Sequence, residues 1–238
     1  MRLVLLAVLL LLSIPRNASA QDASDIAAYR ALTHTPLAGL VAPHGPVITG
    51  EPGGWAWYLQ YGLRSLDDHE YTHTAGAGLE LPVGQGRIGL TAGLHLPDCS
   101  SGECPGHFMA SVGFAQRLLG AALGRDSSLA TLNMATQLEL GLGFPRHTTL
   151  FAASATLPVA LVPTGRGLRL LPYLAPGLGT GLVTENGETE AGLRALVGAG
   201  VSAVGFLDGF TLTAGIERVL LRGGNWLVGF SLLRAASR

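Results

Sequence analysis

The stretch Tyr71-Thr72-His73-Thr74-Ala75-Gly76-Ala77-Gly78-Leu79-Glu80-Leu81-Pro82-Val83-Gly84-Gln85-Gly86-Arg87-Ile88-Gly89-Leu90-Thr91-Ala92-Gly93-Leu94-His95-Leu96-Pro97 decides the fold. Its period is two. His73, Ala75, Ala77, Leu79 and Leu81 fall on one face, and Thr72, Thr74, Gly76, Gly78 and Glu80 on the other, because successive side chains of a strand point to opposite sides. After the turn the contrast resumes, with Ile88, Leu90, Ala92, Leu94 and Leu96 against Arg87, Gly89, Thr91, Gly93 and His95. A two-residue loop at Gly84-Gln85 sets Glu80 opposite Gly89 and keeps both polar faces on one side, so the spacing predicts a self-consistent hairpin.

The same alternation extends in both directions. Upstream, Trp55, Trp57, Leu59, Tyr61 and Leu63 oppose Ala56, Tyr58, Gln60, Gly62 and Arg64. Downstream, Phe108, Ala110, Val112 and Phe114 oppose Met109, Ser111, Gly113 and Ala115, and Leu132, Met134, Leu138, Leu140 and Leu142 oppose Asn133, Ala135, Gln137, Glu139, Gly141 and Gly143. Near the end, Phe210, Leu212, Ala214 and Ile216 face away from Thr211, Thr213, Gly215 and Glu217, and Trp226, Val228, Phe230 and Leu232 away from Leu227, Gly229, Ser231 and Leu233. Gly223-Gly224-Asn225 supplies the odd-length loop that joins these last two. Further strands over 148–161, 168–183 and 191–205 bring the expected total to about ten. The stretch 168–205 is apolar on both faces, so the period does not fix its register, and eight strands is the alternative count. Pro172 and Pro176 predict local breaks in the seventh strand, since proline donates nothing to a ladder.

Large aliphatics on one face and small or polar residues on the other admit two barrels. A soluble one turns the aliphatics inward and a membrane one turns them to lipid. Only 13% of residues are charged and 48% are hydrophobic, against about 25% charged in ordinary soluble domains. The polar face is crowded with glycine, which suits a narrow interior. Strands of about ten residues match a tilted crossing of the hydrocarbon layer, and Trp55, Tyr71, Phe108, Phe144, Phe210 and Trp226 sit near strand ends as interfacial girdles do. The expected class is therefore all-β, a closed antiparallel up-and-down transmembrane β-barrel over 54–234 with a short tail at 235–238.

The first twenty residues set the compartment. Arg2, the apolar run Leu3 to Ile14, Pro15 and the small-residue site Ala18-Ser19-Ala20 form an export signal over 1–20, too short to cross a bilayer as a helix. Residues 21–53 read as a periplasmic lead-in, with a possible cap at Ser24 or Asp25 for a short helix and Pro36, Pro43, Pro46 and Pro52 after it; a plain linker is the alternative. The net charge of −1 gives no basic field for nucleic acid. Cys99 and Cys104 are the two cysteines. In an exported chain they are expected to close a disulfide; zinc, with His95 and His107 flanking the pair, is the less favoured reading.

The export signal, the glycine-studded alternating strands, the segment Pro172-Tyr173-Leu174-Ala175-Pro176-Gly177-Leu178-Gly179 and the closing Trp226-Leu227-Val228-Gly229-Phe230 resemble the small bacterial outer-membrane β-barrel superfamily of the OmpA, OmpX and OmpW type. The resemblance covers about residues 54–234. Such chains commonly end on an aromatic, whereas this one continues past Phe230 to Arg238. The resemblance implies an outer-membrane location, contact with outer-membrane lipid and with the assembly machinery, and a monomeric barrel.

Neither Gly-x-Ser-x-Gly, His-Glu-x-x-His nor a P-loop occurs, and no cofactor is expected. Asp67-Asp68-His69 lacks the second Asp-x-His a rim protease would carry, and His73 on the greasy face lacks a nameable serine for lipid hydrolysis. The expectation is a non-enzymatic barrel with a structural or surface-contact role. A narrow pore for small or apolar solutes and a lipid-modifying enzyme are the alternatives. The candidate site is the polar inner face, Glu80, Arg87, Gln137, Glu139 and Glu217, either lining a solute path or forming a paired plug, with the plug favoured because so narrow a barrel is filled by side chains.

Overall fold

The computed structural model describes residues 54–65, 71–97, 106–123, 130–165, 167–205, 207, 209–220 and 226–236. The export signal, the lead-in, the cysteine pair, Asp67-Asp68-His69 and the last two residues of the tail lie outside them. Eleven strands run in chain order: β1 (Ala56–Ser65), β2 (Tyr71–Val83), β3 (Gly86–Pro97), β4 (His107–Leu123), β5 (Ala130–Phe144), β6 (Thr148–Thr156), β7 (Val159–Pro163), β8 (Arg169–Glu185), β9 (Glu188–Val204), β10 (Phe210–Leu220) and β11 (Trp226–Ala235). Chain neighbours pair antiparallel, except β6 with β7, and β1 also pairs with β11 from Ala56↔Ala235 to Arg64↔Leu227, which closes the sheet on itself.

β6 and β7 form one stave of the barrel. Both pair with β5 on one side and β8 on the other, in unbroken register: Gln137↔Thr156 continues into Met134↔Val159, and Thr156↔Gly177 into Val159↔Leu174. The gap between them has a chemical cause. The Ala135 amide donates to the Pro158 carbonyl and the Leu157 amide to the Pro176 carbonyl, each at 2.9 Å, but the return bonds would need N–H groups that Pro158 and Pro176 lack. The β7–β8 ladder then stops after Ala160↔Tyr173, where the next partner is Pro172. The proline breaks expected inside the seventh strand thus fall on its neighbour, and β8 itself is continuous. The count is ten staves, which excludes eight.

The quoted hairpin forms as its spacing requires, with Val83↔Gly86 flanking the turn and Glu80↔Gly89 opposite each other. At the other end of the barrel β8 and β9 run further than the period indicated. They turn only at Asn186-Gly187, both at positive φ (52° and 84°), the type I′ geometry that Asn-Gly favours. The polar stretch 184–190 is therefore mostly strand, projecting and exposed, rather than loop. At the end that holds both termini, β4 and β5 also extend to Leu123↔Ala130, past a bulge that leaves Leu118 without a partner between Arg117 and Leu119.

Stagger tilts the staves. Followed partner to partner from Ala56 through Glu80, Gly89, Gly113, Glu139, Ser154 and Gly179 to Arg194, the path climbs until it leaves the end of β10, the offset that closure of a barrel demands. Apolar residues of the alternating face, including Leu59, Leu79, Leu90, Leu94, Leu138, Leu140 and Phe230, are exposed on the outside, and their polar counterparts are buried within. The interior is itself two-sided. Leu150, Ala160, Leu171, Tyr173, Leu196 and Val219 build an apolar cluster against the β6–β10 wall, while Arg64, Glu80, Arg87, His95, His107 and Glu139 are buried along the β1–β5 wall. That cluster is why 168–205 is apolar on both faces: one side meets the barrel core and the other the exterior.

Candidate functional site

All five inner-face residues singled out from the sequence are buried inside the barrel, but in two groups. Nearest the termini, Arg87 Nε donates to Glu80 Oε2 at 2.7 Å, and Arg87 Nη2 donates to the Gly54 carbonyl at 2.9 Å. The second group lies deeper. Ser111 Oγ donates to Glu139 Oε1 at 3.2 Å and Gln137 Nε2 to Glu139 Oε2 at 3.5 Å, with Glu217 on β10 within electrostatic reach of Glu139. Buried charges are tolerated when paired and hydrogen-bonded; the first group pairs its charges across β2 and β3, while Glu139 is hydrogen-bonded by Ser111 on β4 and by Gln137 on its own strand.

Two tyrosines fill the remaining width. Tyr58 hydrogen-bonds Thr91 through its hydroxyl and lies over Gly78, where a Cβ would collide with the ring. Tyr173 reaches across from β8 over Gly200 and Gly215, whose missing side chains make room for its hydroxyl end. Ser202 and Thr213 bond at 2.9 Å beside them. Alternating glycine opposite a large inward aromatic is how a narrow lumen is filled without strain.

The candidate set omitted several buried groups: Arg64, His95, His107, Asn133 and Arg194. Their signal was present, since each sits on the same alternating face as Glu80 or Glu139, but pairing across staves is not written in a single strand. His95 and His107 are cross-strand partners with ring centroids 4.7 Å apart. Among the described residues no three His, Cys, Asp or Glu side chains gather as metal ligands.

On the outside, Tyr61 and His73 are joined at 2.6 Å between the hydroxyl and Nδ1, so His73 has a tyrosine partner on the exposed face. Trp57 packs edge-on to Phe210 at 6.3 Å, with the Arg234 guanidinium 5.1 Å from the Phe210 centroid. With Trp55 they mark the end bearing the termini, while Tyr71, Phe108, Phe144 and Trp226 mark the opposite end.

No protein-family model and no curated protein matches the chain. Solved structures similar to it are outer-membrane proteins. The N-terminal β-barrel domain of Pseudomonas aeruginosa OprF is 13% identical at a TM-score of 0.33, covering 78% of this chain and 100% of that one. Neisserial surface protein A is 9% identical at 0.36, covering 77% and 97%. The translocator domain of the autotransporter NalP from Neisseria meningitidis is 13% identical at 0.33, covering 90% and 99%. This chain's own strand registers establish its fold as a closed antiparallel β-barrel of ten staves.

Proposed function

We propose that this chain is a monomeric, non-enzymatic outer-membrane β-barrel with a plugged lumen, acting in envelope structure or surface contact. The observation that carries the reading is the inversion of polarity. The exterior is a belt of exposed leucines bounded by aromatics, while Arg64, Glu80, Arg87, Glu139 and Glu217 are buried within. Water would penalise that exterior, and lipid accepts it. The ion pair, the tyrosines and the apolar half-core occupy the interior, which favours a plug over a solute path. The export signal, outer-membrane lipid contact and insertion by the assembly machinery belong to the same reading, as does a Cys99–Cys104 disulfide.

Reconstitution in planar bilayers tests it. The expected result is membrane-integrated, heat-modifiable protein without stepwise conductance. Reproducible conductance steps would replace the plug with the narrow-pore reading, and full recovery in the soluble periplasmic fraction would end the membrane one. Release of fatty acid from lipid A that depended on His73 would overturn the non-enzymatic assignment.

A further inference from the structure

At the end of the lumen away from the termini, the outermost buried side chains form a basic ring. Descending from that end, the first buried polar residues on six of the staves are Arg64 on β1, Thr72 on β2, His95 on β3, His107 on β4, Thr148 on β6 and Arg194 on β9, while β5 and β10 reach Glu139 and Arg218 first. Arg64 and Thr72 are direct cross-strand partners, as are His95 and His107. Among the described residues no carboxylate is buried at this level; Glu185, the cross-strand partner of Thr148, is exposed, and Glu217 lies on β10 deeper than the buried Val219.

Two of its members, Arg64 and Thr72, have donors that the protein does not use. Arg64 and Thr72 are each 1% exposed, yet Arg64 Nε and Nη2 and Thr72 Oγ1 have no hydrogen-bond partner. Glu217 is within electrostatic reach of Arg64, but its Oε2 is also unpartnered, so these atoms do not bond one another. Buried donors left in this state are costly, and a cation with two free N–H groups beside a free hydroxyl presents the fork that matches an oxyanion. Arg194 adds positive potential around the same opening.

We infer that the basic ring of Arg64, Thr72, His95, His107 and Arg194 is a binding site for one small soluble oxyanion of the phosphate or sulfate type, held directly by Arg64 and Thr72. Because these side chains face the lumen, the ligand comes from the aqueous side, and a lipid phosphate outside the barrel is not the occupant. The deeper plug lets the ion enter without passing through.

The test is calorimetric titration of the full-length protein in lipid-free, non-ionic detergent with inorganic phosphate, with sulfate as competitor. Saturable binding of one ion is expected, weakened about tenfold or more in Arg64→Gln, as loss of a charge-assisted pair predicts, and unchanged in Arg234→Gln at the opposite end. No saturable binding to the wild-type protein, or equal affinity in Arg64→Gln, overturns the site and leaves water as the partner. Heat-modifiable migration reports folding of each variant. If Arg64→Gln does not fold, Thr72→Val removes one donor without changing charge; several-fold weaker binding supports the site, and unaltered affinity rejects it.

Discussion

Glu80 and Arg87, seven residues apart across the β2–β3 hairpin, meet inside the barrel at 2.7 Å with the carboxylate fully buried. A buried pair of this kind is fragile in one direction only. Truncating one partner strands the other charge in a low-dielectric interior, whereas replacing both with apolar residues of similar size removes the cost together with the bond. Glu80→Leu is expected to lower unfolding free energy by about 3–5 kcal/mol, and Glu80→Leu with Arg87→Leu by much less than the two single changes summed. Urea unfolding of the barrel in liposomes, followed by tryptophan fluorescence, measures this cycle; additive losses would show that the pair is not coupled.

The hairpin carrying this pair was legible because turn length and period constrain each other: two residues at Gly84-Gln85 leave one register that keeps Glu80 and Arg87 on the same side. The split stave was not. Pro158 and Pro176 are far apart in sequence, and the missing donors matter only once β6 and β8 are known to be neighbours. The basic ring was hidden for the same reason. Arg64 and Arg194 each look like one more polar residue on an alternating face until closure of β1 on β11 places them around one opening.

Restoring a donor at the split tests its cause. In Pro158→Ala the new amide faces the Ala135 carbonyl, opposite the bond already present at 2.9 Å. That amide is expected to be protected from hydrogen exchange. Stability should change by only about 1 kcal/mol, since the added bond is offset by greater freedom of the unfolded chain. Rapid exchange at position 158 would mean that strand geometry, rather than proline chemistry, separates β6 from β7.

The filling of the lumen predicts a second coupling. A Cβ on Gly215 would run into the Tyr173 hydroxyl and approach the Ala199 carbonyl at 3.1 Å. Gly215→Ala is expected to destabilise by about 1–3 kcal/mol, the usual cost of overpacking. In a Tyr173→Phe background the same change should cost less, because the colliding oxygen is gone. Equal costs in both backgrounds would assign the strain to the Ala199 carbonyl alone.

Depth provides the sharpest test of the lipid-facing exterior. Leu140 and Val83 are both 48% exposed, so a soluble barrel would treat an added charge at either site alike. They differ in height. Leu140 sits within β5 opposite Val112 and Ala153, between the two aromatic girdles, whereas Val83 flanks the tight turn at the end bearing the termini. In a membrane, arginine at Leu140 has no water within easy reach and is expected to cost about 2–4 kcal/mol, while arginine at Val83 reaches the interface and costs about 0–1 kcal/mol. Reversible unfolding of Leu140→Arg and Val83→Arg from bilayers gives the difference directly. A gap of about 2 kcal/mol or more places the leucine belt in hydrocarbon, because no solvent-exposed surface distinguishes two equally exposed positions by their distance from the barrel's end. Matching small costs would instead require water around Leu140, and with it a protein partner or a soluble barrel to account for the exposed leucines.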